Sequence, residues 1–333
     1  MTRLRAAVVG VGHLGRHHAR ILRSLPDVEL VGVVDAAPGR AREVGGPLGV
    51  PGWERIEEAP SDLDAVVVAV PTAAHAEVAI PWLRRGVATL VEKPLARSTE
   101  EADRILEAAR EGEGLLSVGH VERYNPAVRA LRELRLSPAF VEAHRLAPFR
   151  SRSTDIGVLL DLMIHDLDLL FELVPDEIAS VDAIGVSVFT DREDLVSARL
   201  RLTGGCVANL TASRVSLHPM RRIRLFSPDS YVSLDFEKRY ALAIRKGPAW
   251  EAARSRLAGL EAGEAEAFLE NLPEDAVTVQ ELVVEESEPL REELRAFLDA
   301  VRAGGPAPVP GEEGRRALAA AERIRAGMEL RRW

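Results

Sequence analysis

The sequence predicts an α/β chain: an N-terminal doubly wound parallel sheet, then an α+β domain with a large, mostly antiparallel open sheet. Three observations carry this expectation. Residues 1–120 alternate short apolar runs with helix-period segments, as βαβ units do. A glycine turn, Gly10-Val11-Gly12-His13-Leu14-Gly15, joins the first apolar run to the first helix-period segment. From residue 179 on, the pattern changes to segments with a period of two, at 179–189, 195–202, 206–214, 221–227, 230–236 and 240–246.

The elements follow in order. Residues 5–10 form the first strand, 13–25 a helix, 30–35 the second strand and 38–45 a short helix. Residues 65–70 form a buried strand ended by Pro71, 74–85 a helix and 88–91 a strand ended by Glu92-Lys93-Pro94. Ser98 or Thr99 caps a helix running to 111, and 115–118 is the last strand of this Rossmann-type unit. A helix at 126–134 and a strand at 139–147 come next, then a polar loop at 150–155 and an apolar helix at 157–173. Residues 248–285 are acidic and carry weak signals, compatible with a surface helix and one strand. Amphipathic helices at 287–303 and 312–330 close the chain.

A chain of 333 residues is long for one core and suits two domains, here expected as 1–120 and 121–333. The formal charge of -9 argues against a nucleic-acid footprint. No apolar run approaches the roughly 20 residues of a membrane span, and the N-terminus lacks signal-peptide character, so a cytoplasmic protein is expected. Cys206 is the only cysteine, which excludes an internal disulfide and points to a small core residue. Of 43 basic side chains only Lys93, Lys238 and Lys246 are lysines. A lysine in so arginine-rich a chain suggests a need for the slim ammonium itself.

The glycine turn has the context its chemistry needs. Gly10 permits the tight turn, Gly12 lets a pyrophosphate approach the backbone, and Gly15 lets helix and strand pack, with His13 and Leu14 at the helix N-terminus. Asp35 ends the second strand twenty residues after Gly15. A carboxylate there accepts from ribose hydroxyls and repels a 2′-phosphate, so NAD is expected over NADP, although Arg40 and Arg42 keep NADP as the alternative. Pro71 and Thr72 follow a buried strand and should border the cofactor. His75 either joins them or opens a surface helix.

Glu92 and Lys93 end another strand in the same crevice. The Lys93 ammonium can hydrogen-bond a substrate hydroxyl; the alternative is an ion pair with Glu92. In the 157–173 helix, ~100° per residue puts Asp161, His165 and Asp168 on one polar stripe of an apolar helix. That stripe lines a cleft, or faces solvent, or pairs with an arginine. His165 can take a proton from an alcohol, with Asp161 holding the ring or a neighbouring hydroxyl. His120, Arg123, Tyr124 and Asn125 are either substrate contacts or packing at the domain junction. No metal is expected, since His17 and His18 are adjacent on one helix and cannot share a ligand face.

Three motifs in order, the Gly10–Gly15 turn, Glu92-Lys93-Pro94 and Asp161-xxx-His165, resemble the Gfo/Idh/MocA family of sugar and inositol dehydrogenases. The resemblance spans essentially the whole chain. It implies an enzyme moving a hydride between a hydroxyl carbon of a sugar or nucleotide sugar and NAD. Lys93, Asp161 and His165 would line the active site, with His165 as acid–base. It also implies a homodimer or homotetramer formed through the C-terminal sheet. Residues 118–126 and 288–294 most resemble a bacterial branch associated with UDP-N-acetylglucosamine 3-dehydrogenase, in which arginines near 145–152 or 221–224 would meet a diphosphate. Dehydrogenation of a free sugar or inositol, the reverse reduction, and a non-catalytic sensor on the same fold are the alternatives.

Overall fold

Strand β1 (Leu4–Val9) begins the fold because Ala6, Ala7, Val8 and Val9 are apolar in succession and all buried, as a strand covered on both faces requires. The computed structural model describes residues 2–132, 134–149 and 156–332. Helix α1 (Gly15–Ser24) turns Ala19, Ile21 and Leu22 to the same core. There follow β2 (Val28–Val34), α2 (Arg40–Leu48), a two-residue β3 (Gly52–Trp53), β4 (Ala65–Val68), α3 (His75–Leu83), β5 (Ala88–Glu92), α4 (Thr99–Glu111) and β6 (Leu116–Gly119). Ser98 caps α4 by accepting from the Glu101 amide. The strands are parallel in the order β3-β2-β1-β4-β5-β6. The order reverses between β1 and β4, so the carboxyl ends of these strands open on the crevice where such sheets hold ligands.

The chain continues through α5 (Pro126–Arg129), β7 (Phe140–Leu146), a π-helical turn at Leu159–Met163, α6 (Ile164–Leu173), β8 (Ile178–Ser187), β9 (Leu195–Leu202), β10 (Val207–Ser213), β11 (Met220–Phe226), β12 (Ser230–Asp235) and β13 (Tyr240–Lys246). Alternation in β9 buries Val196, Ala198, Leu200 and Leu202. Cys206 is buried beside β10, and burial pushes its thiol up from the usual range. Residues 248–285 hold two helices rather than one, α7 (Trp250–Leu257) and α8 (Ala262–Glu270), before β14 (Val277–Glu281). The expected helix at 126–134 is only the four residues of α5.

Helices α9 (Pro289–Ala303) and α10 (Gly311–Gly327) and strand β15 (Met328–Arg332) close the chain. The sequence expectation carried the last helix to 330. It ends at Gly327 instead, because the backbone of β15 finds ladder partners along β8, in parallel. Among the described residues the second sheet has nine strands in the order β14-β13-β12-β11-β7-β10-β9-β8-β15, and only β7·β10 and β8·β15 are parallel. The chain forms two compact units, neither continuous in sequence. One comprises Met1–Asn125, Leu159–Asp168 and Ser287–Ala326; the other comprises Pro126–Val158, Leu169–Glu286 and Gly327–Trp333. In the first, α9 buries Leu294, Phe297 and Leu298 among core residues of α1, β1 and β2. Among the described residues no helix is long and apolar enough to cross a membrane.

Candidate functional site

The turn after β1 is shaped by close approach. A Cβ on Gly10 (φ 85°) would stand 2.7 Å from the Ala69 carbonyl carbon, and one on Gly15 would stand 1.8 Å from the Gly10 oxygen. A Cβ on Gly12 would meet nothing within 4 Å, so open space faces the backbone where a pyrophosphate must come. Asp35 lies beside the turn: its carboxylate accepts from the Val11 amide at 2.8 Å and the Ala37 amide at 2.9 Å. These features fit a dinucleotide, with Leu14 preceding the N-terminus of α1 and exposed His13 stacked edge-on against His17. Arg40 donates to the Val11 carbonyl and pairs with Glu43, and Arg42 pairs with Glu54. Pro71 is exposed and Thr72 half-buried after β4.

His75 opens α3, as one of the two expectations had it, but its side chain is buried. Its Nε2 lies 3.0 Å from the Val70 carbonyl and its Nδ1 3.0 Å from that of Pro94. Desolvation lowers its pKa. The ring thus ties the end of β4 to the segment after Lys93.

Lys93 does not pair with Glu92. Its Nζ donates to the Asp161 carbonyl at 2.7 Å and lies 3.4 Å from Asp161 Oδ1. Both side chains keep some solvent access, 16% and 27%. Glu92 is turned the other way: Oε1 meets His18 Nε2 at 2.6 Å and Oε2 accepts from the Lys93 amide at 3.2 Å. A π-helical turn precedes α6, so the expected stripe is not uniform. Asp161 is half-buried, His165 nearly buried and Asp168 fully so.

Asp168 takes the arginine-pairing alternative. Arg123 grips it with Nε and Nη2 at 2.7 and 2.5 Å and also pairs with Glu313. His120 is buried with Nδ1 3.7 Å from Asp168, and its ring stands edge-on to that of His165 with centroids 6.4 Å apart. Desolvation holds the His120 pKa down. Tyr124 is buried, and Asn125 donates to Glu122.

Lys93, Asp161, His165, His120 and Arg123 therefore come together within one unit, although they are far apart in sequence. Sequence reasoning offered an arginine for Asp168 without naming Arg123, missed the roles of His18 and Glu313, and gave Glu293 no role beyond its place in the 288–294 segment. Glu293 carried a usable signal: it sits on the apolar stripe of α9, three residues after Leu290 and four before Phe297. In the second unit, Arg221, Arg222 and Arg224 each have a carboxylate partner, in Glu237, Asp235 and Glu142. Arg145 is buried, and residues 150–155, with two of the arginines expected near a diphosphate, lie outside the described residues.

Two family models match the chain: the oxidoreductase family with NAD-binding Rossmann fold over residues 4–120, and the GFO/IDH/MocA C-terminal domain over residues 127–228. A UDP-N-acetylglucosamine 3-dehydrogenase of Acidithiobacillus ferrooxidans is 38% identical over 99% of this chain and 98% of its own. A solved structure under that name, from the same organism, superposes with a TM-score of 0.86 at 38% identity, covering 98% of each chain. A scyllo-inositol 2-dehydrogenase (NAD(+)) of Bacillus subtilis is 32% identical over 55% of this chain and 57% of its own.

Proposed function

The chain belongs to the Gfo/Idh/MocA family of NAD-binding oxidoreductases, and from that premise we propose that it is a UDP-N-acetylglucosamine 3-dehydrogenase. The observation that carries this reading is likeness to the Acidithiobacillus enzyme along the whole chain, at 38% identity over 99% of it. The matches to inositol dehydrogenases are shorter or weaker, so an inositol or free sugar is the second choice.

The residues divide the work as follows. The backbone of Gly10, Gly12 and Gly15, with the N-terminus of α1, holds the pyrophosphate, and Asp35 accepts from ribose hydroxyls. Bound NAD⁺ supplies the nicotinamide ring that takes up the hydride. Lys93 donates a hydrogen bond to the substrate hydroxyl and favours the developing alkoxide. His165 accepts the hydroxyl proton. Asp161 holds the Lys93 ammonium in place, as the 2.7 Å bond from Nζ to its carbonyl supports. His120, with its pKa lowered by burial, presents an imidazole edge-on to His165 and packs it without adding a second cation. The reading extends to a cytoplasmic homodimer or homotetramer joined through the nine-stranded sheet. The single, buried, free cysteine accords with a reducing compartment.

The test is nicotinamide absorbance on mixing purified protein with NAD⁺ and UDP-N-acetylglucosamine, with NADP⁺, free sugars and inositols in parallel. Reduced cofactor with NAD⁺ and the nucleotide sugar is the expected result. Reduction with an inositol and none with the nucleotide sugar would move the substrate to the second choice. NAD⁺ binding without turnover on any of them would favour a sensor.

A further inference from the structure

Behind Lys93 lies a buried group of three titratable side chains that the proposed reaction does not use. His18 on the first turn of α1, Glu92 at the end of β5 and Glu293 on α9 are 0%, 6% and 1% exposed. One nitrogen or oxygen from each lies within 4.8 Å of the others. His18 Nε2 and Glu92 Oε1 are in direct contact at 2.6 Å, and Glu92 Oε2 accepts from the Lys93 amide. Gly119 makes room for this carboxylate, since a Cβ there would stand 3.0 Å from Glu92 Oε2. Both carboxyl oxygens of Glu293 and Nδ1 of His18 have no hydrogen-bond partner among the described residues.

The surroundings make two ionised carboxylates costly. Asp168 on α6 adds a third acid, and Arg123, on the Val121–Tyr124 turn packed against α9, is already held by Asp168 and Glu313. Glu122 on that turn is acidic, His120 is held uncharged by burial, and the Lys93 ammonium is turned to Asp161. Burial first, then the charges of Glu92 and Asp168, push the Glu293 carboxyl well above the usual carboxylate range.

We propose that Glu293 is a positioning residue that shares a proton with Glu92. The chain Glu293–Glu92–His18 then fixes two parts of the site together: the backbone of Lys93, and the helix that begins at the glycine turn. A metal ion is the competing occupant of these donors. The 2.6 Å bond already joins two of the three directly. The inference rests on the dehydrogenase reading only in what it positions.

The test compares wild type, Glu293→Gln and Glu293→Ala. A protonated buried carboxyl gives an infrared C=O band at neutral pH, expected in wild type and lost in Glu293→Gln. The neutral isostere keeps kcat within about threefold, whereas Glu293→Ala lowers kcat by up to ~100-fold with KM nearly unchanged. Absence of the band overturns the proposal. So does a Glu293→Gln enzyme as slow as Glu293→Ala, an unimpaired Glu293→Ala enzyme, or stoichiometric metal in wild type that Glu293→Gln lacks. Should Glu293→Ala not fold, the infrared comparison decides alone. It also decides if the wild type proves inactive on the nucleotide sugar, which separates failure of this inference from failure of the substrate assignment.

Discussion

Replacing Lys93 with Met tests the proposed chemistry where the structure is most specific. The Nζ of Lys93 makes one bond of 2.7 Å to the Asp161 carbonyl and stands 3.4 Å from its carboxylate. Removing a charge-assisted bond is worth about 1.5–3 kcal/mol. Asp161 keeps 27% exposure, so water re-solvates it and the stability loss falls at the lower end. The catalytic loss is larger. Removing a donor aimed at a developing alkoxide lowers kcat by roughly 10²–10³-fold, about 2.7–4 kcal/mol. Lys93→Met should therefore bind NAD⁺ and melt a few degrees early while turning over at a hundredth of the rate or less. Lys93→Arg adds the discriminating arm. Arginine fills most basic positions of this chain, yet a planar guanidinium is too wide for a point donor between Asp161 and a substrate oxygen. It should not rescue activity. Nicotinamide absorbance at saturating substrate, with cofactor affinity by fluorescence, reads both effects. A Lys93→Met enzyme within about threefold of wild-type kcat, or a fully active Lys93→Arg enzyme, would refute the assignment.

Other substitutions probe neighbouring claims. His165→Ala should lower kcat by ~10²–10⁴-fold with NAD⁺ affinity unchanged, checked by steady-state kinetics and cofactor titration. Asp168→Asn should destabilise the protein by about 1.5–3 kcal/mol, seen in denaturant midpoints, because it takes the charge from the two-pronged grip on the buried Arg123 guanidinium, which keeps its pair with Glu313. Asp194 carries a pH signature. Desolvation pushes its carboxyl up, but amides of Phe189, Val188 and Thr190 and the Thr190 hydroxyl hold it below the ordinary value. A depressed folded-state pKa stabilises above the unfolded value, near 4, and that stabilisation is lost as pH falls through the folded one. Asp194→Asn should thus be clearly less stable than wild type at pH 7 and approach it in strong acid, and a pH-independent difference in unfolding free energy would contradict this.

The legibility of the chain varied with how local the cause was. β1, β9 and β13 appear where the apolar patterning put them, because burial of one or both strand faces is written in the residues themselves. β3, two residues long, leaves too little pattern to see. β15 consists of Met-Glu-Leu-Arg-Arg, residues that suit a helix, and becomes a strand only because the edge of β8 is there to pair with. His75 shows the same limit at a site: its position after β4 was visible, but its burial depends on the carbonyls of Val70 and Pro94 converging on one ring.

By itself the sequence determined the two sheet types, the family, the glycine turn with Asp35, and the candidacy of Lys93, Asp161 and His165. Each follows from periodicity, spacing or residue chemistry within a short stretch. Only the tertiary structure decided partners. Lys93 faces Asp161 rather than Glu92, Arg123 holds Asp168, and Glu293 arrives from two hundred residues away to meet Glu92 and His18. The physical reason is that a charge is satisfied by whatever lies within a few ångströms in space, and distance along the chain does not say what that will be.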